Sequence, residues 1–146
     1  MRILDIHDIE YNIISYDNKD GKIDGISVAK KIGKDLECVF KTLVVGGNGG
    51  KLYVFVIPVN EELNLKRAAK ACGEKKLAMI PSKDIKKHTG YIRGGCSPIG
   101  MKKDYPTFID KSAFELKTMV VSGGRIGIQI ELAPEVLKTI TDASIL

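Results

Sequence analysis

The run Val39-Phe40-Lys41-Thr42-Leu43-Val44-Val45, the loop Gly46-Gly47-Asn48-Gly49-Gly50 and the run Lys51-Leu52-Tyr53-Val54-Phe55-Val56-Ile57-Pro58 decide the fold. Both runs are rich in β-branched and aromatic residues, and the residues between them tolerate positive φ, so together they read as the two strands of a hairpin. Each strand is apolar on both faces, which calls for a sheet covered on each side, and helices are the expected cover.

Before this hairpin, Tyr11 to Tyr16 reads as a strand ended by the turn cluster Asp17-Asn18-Lys19-Asp20-Gly21. Ser27 stands where it would cap a two-turn helix that carries Val28, Ala29 and Ile32 and stops at Gly33. After the hairpin, Asn64 caps a helix with Leu65, Ala68, Ala69 and Cys72 on one face, stopped by Gly73. Leu77 to Ile80 reads as a short strand, and Pro81-Ser82 open a helix that ends by Gly90. The stretch Tyr91-Ile92-Arg93-Gly94-Gly95-Cys96-Ser97-Pro98-Ile99-Gly100 has too many glycines for a regular element and reads as a structured loop. A strand near Thr107 to Asp110, a hairpin of Leu116–Val121 and Arg125–Leu132 around Ser122-Gly123-Gly124, and a helix begun by Pro134 complete the chain. The expectation is one mixed α/β domain over residues 1–146, with about seven strands and four or five short helices.

Composition narrows the function. Of 146 residues, 44% are apolar or aromatic and 28% charged, the range of an ordinary globular protein. No apolar run approaches the roughly 18 residues of a membrane span, and Met1 to Tyr11 alternates charged and apolar residues, unlike a secretory leader. The expected location is cytoplasmic, with neither a membrane nor DNA as partner. Cys38, Cys72 and Cys96 are an odd number with no C-x-x-C pair, and the only histidines are His7 and His88, which argues against a disulfide framework or a metal site. Charge is uneven: from Lys66 to Lys103 eleven basic residues stand against Glu74 and Asp84, while both flanks are mildly acidic. Such a block either binds a polyanion or forms solvated helix faces.

Few residues are placed for chemistry. The loop 46–51 lacks the first glycine and the closing Ser or Thr of a phosphate-binding loop, so a hairpin turn explains it. There is no G-x-S-x-G elbow, and a Ser-His-Asp triad would have to use His7 or His88. Lys41 falls on the face of Leu43 and Val45, where alternation would bury it; it either snorkels to water or aims a cation into a pocket. Gly94 to Pro98 has the composition of a nest of backbone N–H groups. Cys96 lies inside that loop with no histidine near it in sequence, so it reads as packing or lining.

Val39 to Val45, the Thr89-Gly90-Tyr91 … Gly94-Gly95-Cys96-Ser97-Pro98-Ile99-Gly100 loop, and Val121-Ser122-Gly123-Gly124-Arg125 … Gly127 … Glu131-Leu132 resemble the YbaK/EbsC family of aminoacyl-tRNA deacylases, in order and with matching spacing. The resemblance implies a single α/β domain around a curved sheet, the fold of the editing domain of prolyl-tRNA synthetases. It implies removal of cysteine mischarged onto proline tRNA, with the substrate's own thiol attacking its ester and no cofactor. Lys41 matches the family's essential lysine. Thr42, Gly94, Gly95, Cys96, Ser97, Pro98, Ser122, Gly123 and Gly124 match its pocket, and Tyr16 a pocket aromatic. The chain departs from the pattern at Gln129, where an acidic residue is usual, and at Asp24, which replaces an apolar aromatic. Other readings are deacylation of another mischarged tRNA such as Ala-tRNA(Pro) by bound water, or a non-catalytic tRNA- or synthetase-binding module. In each, the RNA contact is expected from Lys66, Arg67, Lys70, Lys86, Lys87, Lys102 and Lys103, through phosphate charge and therefore sensitive to salt. Prolyl-tRNA synthetase is the protein partner the resemblance suggests.

Overall fold

In the computed structural model, which describes residues 2–6 and 8–146, the elements run α1 (Arg2–Ile6), β1 (Asn12–Ser15), α2 (Gly25–Ile32), β2 (Phe40–Gly46), β3 (Leu52–Pro58), α3 (Leu65–Cys72), β4 (Ala78–Met79), α4 (Ser82–Thr89), β5 (Thr107–Ile109), β6 (Met119–Ser122), β7 (Ile128–Leu132), α5 (Pro134–Thr141) and β8 (Ser144–Ile145). Short 3-10 turns at Leu36–Cys38, Asn48–Gly50 and Lys111–Glu115 join them. No described helix is long and apolar enough to cross a membrane.

The β2–β3 hairpin forms as its sequence requires, antiparallel from Phe40 opposite Pro58 to Gly46 opposite Leu52, with the Gly47 N–H donating to the Lys51 carbonyl at 2.7 Å. It is the centre of a sheet ordered β4-β2-β3-β5-β8, in which β5 and β8 add in parallel and β4 antiparallel. A second, antiparallel sheet has the order β1-β7-β6, and the two sheets meet at a parallel bridge between Val39 and Val120.

Strand alternation then sorts the core. Val45, Tyr53 and Phe55 point to one face and pack against Ala68 and Ala69 of α3 and against Leu77. Phe40 and Val56 point to the other face and join Met119, Val121, Ile130 and Leu132 of the second sheet, with Leu137 of α5. Val44 and Val54, also on that face, pack against Cys96 and are flanked by Ile80, Ile85 and Tyr91. Helices were expected to cover both faces; one face has its helix, and the other is covered mainly by the second sheet and the glycine loop. The physical reason is α4 itself: its sequence SKDIKKHT has Ile85 as its one apolar side chain, too little to shield a sheet.

Two further differences concern α2 and the C-terminus. Asp24, not Ser27, caps α2: its Oδ2 accepts from the Ser27 N–H at 3.1 Å and its Oδ1 from the Ser27 hydroxyl at 2.7 Å. Asp and Ser compete as caps, and here Ser27 completes the cap from inside the first turn. The terminal strand β8 is two residues long, too short to show a period. The far end of α2 is tied to β7 by Lys34, whose ammonium lies 2.9 Å from Glu131.

Candidate active site

β2 is paired with β3 along its whole length, but on its other side β4 reaches only Val45 and Gly46, and the second sheet touches only Val39. Residues 40–43 therefore leave a strand edge open. The Val44 carbonyl on this side accepts from the Ile80 N–H at 3.4 Å, and since a residue in an antiparallel strand directs its N–H and C=O to the same side, those of Thr42 also face away from β3. A cleft of about 680 Å³ runs along this edge, within the ~300–1,000 Å³ span of small-molecule sites. Phe40, Lys41, Thr42 and Leu43 all line it, as four consecutive residues can only when both faces and the edge between them are accessible. Its other walls are the start of α2, the Arg93–Cys96 part of the glycine loop, and Ser122 with Gln129, which are paired across β6 and β7.

The apolar patch under α3 takes in Val45, Tyr53 and Phe55 and stops short of position 41. The half-buried Lys41 side chain thus enters the cleft, and among the described residues its ammonium has neither a hydrogen bond nor an ion pair. Thr42 sits on the opposite face, and its buried hydroxyl has no partner. A buried hydroxyl without a partner costs on the order of 1–3 kcal/mol, so a group that satisfies it gains binding energy. The Tyr16 hydroxyl is orphaned in the same way, but Tyr16 lies outside the cleft wall, its N–H held by the Gly127 carbonyl at 3.0 Å and its ring 5.8 Å from the Lys31 ammonium.

The glycine loop is held at both ends by hydrogen bonds. Tyr91 donates from its hydroxyl to the Ile99 carbonyl and from its N–H to the hydroxyl of buried Thr89, which closes residues 91–99 into a belt. Gly95 then lies directly on the β6–β7 turn: a Cβ at this position would stand 3.0 Å from Arg125 Cα and from Ile126 N. Gly124, at φ +103°, comes equally close to the Tyr91 ring. Gly95→Ala is accordingly expected to lower stability by about 1–3 kcal/mol, because a backbone must move to admit the methyl. Gly46→Ala, whose methyl would meet only ordinary contacts, is the control, and a urea midpoint for each checks the difference.

Of the residues expected in the pocket, Lys41, Thr42, Gly94, Cys96 and Ser122 line the cleft. Gly95, Gly123 and Gly124 support it from behind. Ser97 is fully buried, its hydroxyl accepting from the Ile99 N–H at 3.2 Å, and Pro98 faces a separate hollow near Ile3 and Tyr105. The N–H groups of Gly94, Cys96 and Ser97 have no backbone acceptor. Burial pushes the Cys96 thiol up to about 11, so it stays protonated near neutrality. Of the two histidines, His88 lies on α4 with its carbonyl engaged by Tyr105, and His7 lies outside the described residues.

Two residues of the cleft were not singled out as site residues in the sequence. Arg93 belonged to the basic block, and its place directly before Gly94-Gly95 was the available signal; its guanidinium donates to the Ser82 hydroxyl at 2.9 Å and lines the cleft. Asp24 stood out only as a departure from a pattern, and it too lines the cleft. The basic block itself is divided. α3, with Lys66, Arg67 and Lys70, packs on the Phe55 face of the sheet, whereas α4, with Lys86 and Lys87, packs on the Val54 face beside Cys96. Lys102 lies with the latter group, its N–H donating to the Thr89 carbonyl at 2.9 Å, and Lys103 follows it along the edge of the Pro98 hollow.

The sequence pattern of the aminoacyl-tRNA editing domain matches residues 25–140, which include every one of the cleft residues discussed above except Gly21, Ile23 and Asp24 at its rim. The chain belongs to that family. Over 142 residues, 97% of this chain and 87% of the relative, the editing domain is 44% identical to a protein of Enterococcus faecalis named "Putative Cys-tRNA(Pro)/Cys-tRNA(Cys) deacylase EbsC". It is 27% identical over 109 residues to YwhH of Bacillus subtilis, covering 75% of this chain and 69% of that one. Among solved structures it superposes on the hypothetical protein APE2540 with a TM-score of 0.89 at 22% identity, covering 99% of this chain and 94% of the other. It superposes on "a putative trans-editing enzyme for prolyl tRNA synthetase" with a TM-score of 0.83 at 20% identity, covering 93% and 84%. These likenesses establish the editing-domain fold, the α/β architecture that the sequence motifs indicated.

Proposed function

We propose that this editing domain, residues 1–146 as a single unit, is a trans-editing deacylase that removes cysteine mischarged onto proline tRNA in the cytoplasm. The observation that carries the reading is the unpaired Lys41 ammonium at an open strand edge, beside loop N–H groups without acceptors. A cation and free backbone donors suit the terminal phosphate and ester oxygen of an aminoacylated 3′ end. The relative named for Cys-tRNA(Pro) and Cys-tRNA(Cys), at 44% identity, supports cysteine as the amino acid.

In this reading Lys41 holds the terminal nucleotide through its phosphate. Gly94 and Cys96 offer their N–H groups to the ester oxygen, with Gly95, Ser97 and Pro98 fixing the loop, and Thr42 and Ser122 offer hydroxyls to the aminoacyl group. Gly123, Gly124 and Tyr16 set the wall behind it. The substrate thiol bonds to the ester carbon, the bond from that carbon to the ribose oxygen breaks, and the ribose oxygen takes the proton that the thiol gives up. Cysteine thiolactone leaves. A positioned nucleophile of this kind attains an effective molarity on the order of 10⁵–10⁸ M, so no protein nucleophile is needed, in keeping with the protonated Cys96. Lys86, Lys87, Lys102 and Lys103 approach the RNA from the α4 side, Lys66, Arg67 and Lys70 from the α3 side, and prolyl-tRNA synthetase supplies the choice of tRNA.

Single-turnover deacylation of Cys-tRNA(Pro), Ala-tRNA(Pro) and Pro-tRNA(Pro) tests the proposal. The cysteinyl ester is expected to disappear fastest and the prolyl ester to persist. Preferential loss of alanine would move the chemistry to a bound water, and binding without turnover would reduce the protein to an RNA-binding module.

A further inference from the structure

The cleft contains two cations, Lys41 and Arg93, the neutral amide of Gln129, and a single carboxylate, that of Asp24. Nothing in the proposed chemistry so far receives the α-ammonium, the one positive charge of an aminoacyl ester. We infer that Asp24 is the residue that reads this ammonium, so that it determines specificity for esters with a free amino group. The inference rests on the deacylase reading above.

Three observations carry it. Asp24 is fixed in place: as the cap of α2 it holds the Ser27 hydroxyl on Oδ1 at 2.7 Å and the Ser27 N–H on Oδ2 at 3.1 Å, which aims the carboxylate before any substrate arrives. Each carboxylate oxygen accepts more than one hydrogen bond, so both keep capacity for an ammonium. Those same two bonds hold the carboxyl below its usual pKa, so it is charged across the physiological range. The last observation is what surrounds it: the neighbouring wall residues Gly25, Ile26 and Val28 are uncharged, and across the cleft Gln129 is neutral, so no other side chain in the cleft can compensate a cation. Lys41 and Arg93 would repel the ammonium, so a substrate with its phosphate toward these cations has its amino group driven toward Asp24.

The test is Asp24→Asn, because asparagine caps a helix as well as aspartate does and the substitution removes only the charge. Two esters of the same tRNA are compared: cysteinyl, and 3-mercaptopropionyl, which keeps the thiol and lacks the amino group. The wild type is expected to cleave the cysteinyl ester with about tenfold higher kcat/KM, expressed in KM, and Asp24→Asn to bring the two within twofold by losing activity on the cysteinyl ester alone. Gln129→Glu in the Asp24→Asn background is expected to restore part of the preference. Equal loss on both esters, or no loss on either, overturns the assignment of Asp24 and leaves the deacylase reading standing. A wild type that cleaves neither ester overturns that reading and this one with it.

Discussion

Lys41→Ala is expected to slow single-turnover deacylation of Cys-tRNA(Pro) by about 10²–10³-fold, the usual cost of deleting one preorganised charge from a site where negative charge gathers. The fold has little at stake at this position. The ammonium is half-buried without a partner, so its removal deletes no native hydrogen bond or ion pair, and the urea midpoint of the variant is expected to match the wild type or rise slightly. A large kinetic effect with an unchanged midpoint would separate a functional lysine from a structural one. Lys41→Ala within threefold of the wild type would remove the lysine from the mechanism. Lys41→Arg is the informative companion, because the guanidinium keeps the charge but presents a planar fork in place of a compact point charge.

The second large effect is set by the substrate. Replacing the cysteinyl ester by the seryl ester on the same tRNA changes one sulfur to oxygen, and with the thiol as nucleophile the rate is expected to fall by about 10³-fold or more. Cysteine thiolactone should be trapped from the first ester before it hydrolyses. Equal rates for the two esters would make water the nucleophile, and the orphaned Thr42 hydroxyl in the cleft would then be the group to hold it. Both results are readable with the wild-type protein, so neither depends on a variant that folds.

Much of this site is legible in the sequence because its parts are local. The β2–β3 hairpin follows from two apolar runs around Gly46–Gly50, and the helix from Asn64 to Gly73 from its cap and stop, with the Asn64 side chain accepting from the Arg67 N–H at 3.1 Å. Lys41 is visible as a candidate because a charged side chain breaks an apolar alternation. What is not legible is long-range. The basic residues 66–103 read as one block, but the chain crosses from one face of the sheet to the other between α3 and α4, and no local pattern encodes that crossing. Asp24 and Ser27 are both good caps, and only the completed helix decides between them. The closeness of Gly95 to the β6–β7 turn depends on two segments thirty residues apart, and composition records only that glycines are present in each.

The open edge of β2 has an evolutionary consequence. The main-chain N–H and C=O of Thr42 are the same whatever side chain stands there, so point mutation cannot delete them. A lineage that exchanges Asp24 or Gln129 for other residues alters which amino acid is welcomed, while the backbone groups at the edge pass unchanged to its descendants. Recognition in such a fold divides into a heritable frame written in hydrogen-bond geometry and a variable set of side chains around it. Divergence of substrate preference can proceed through the second without rebuilding the first.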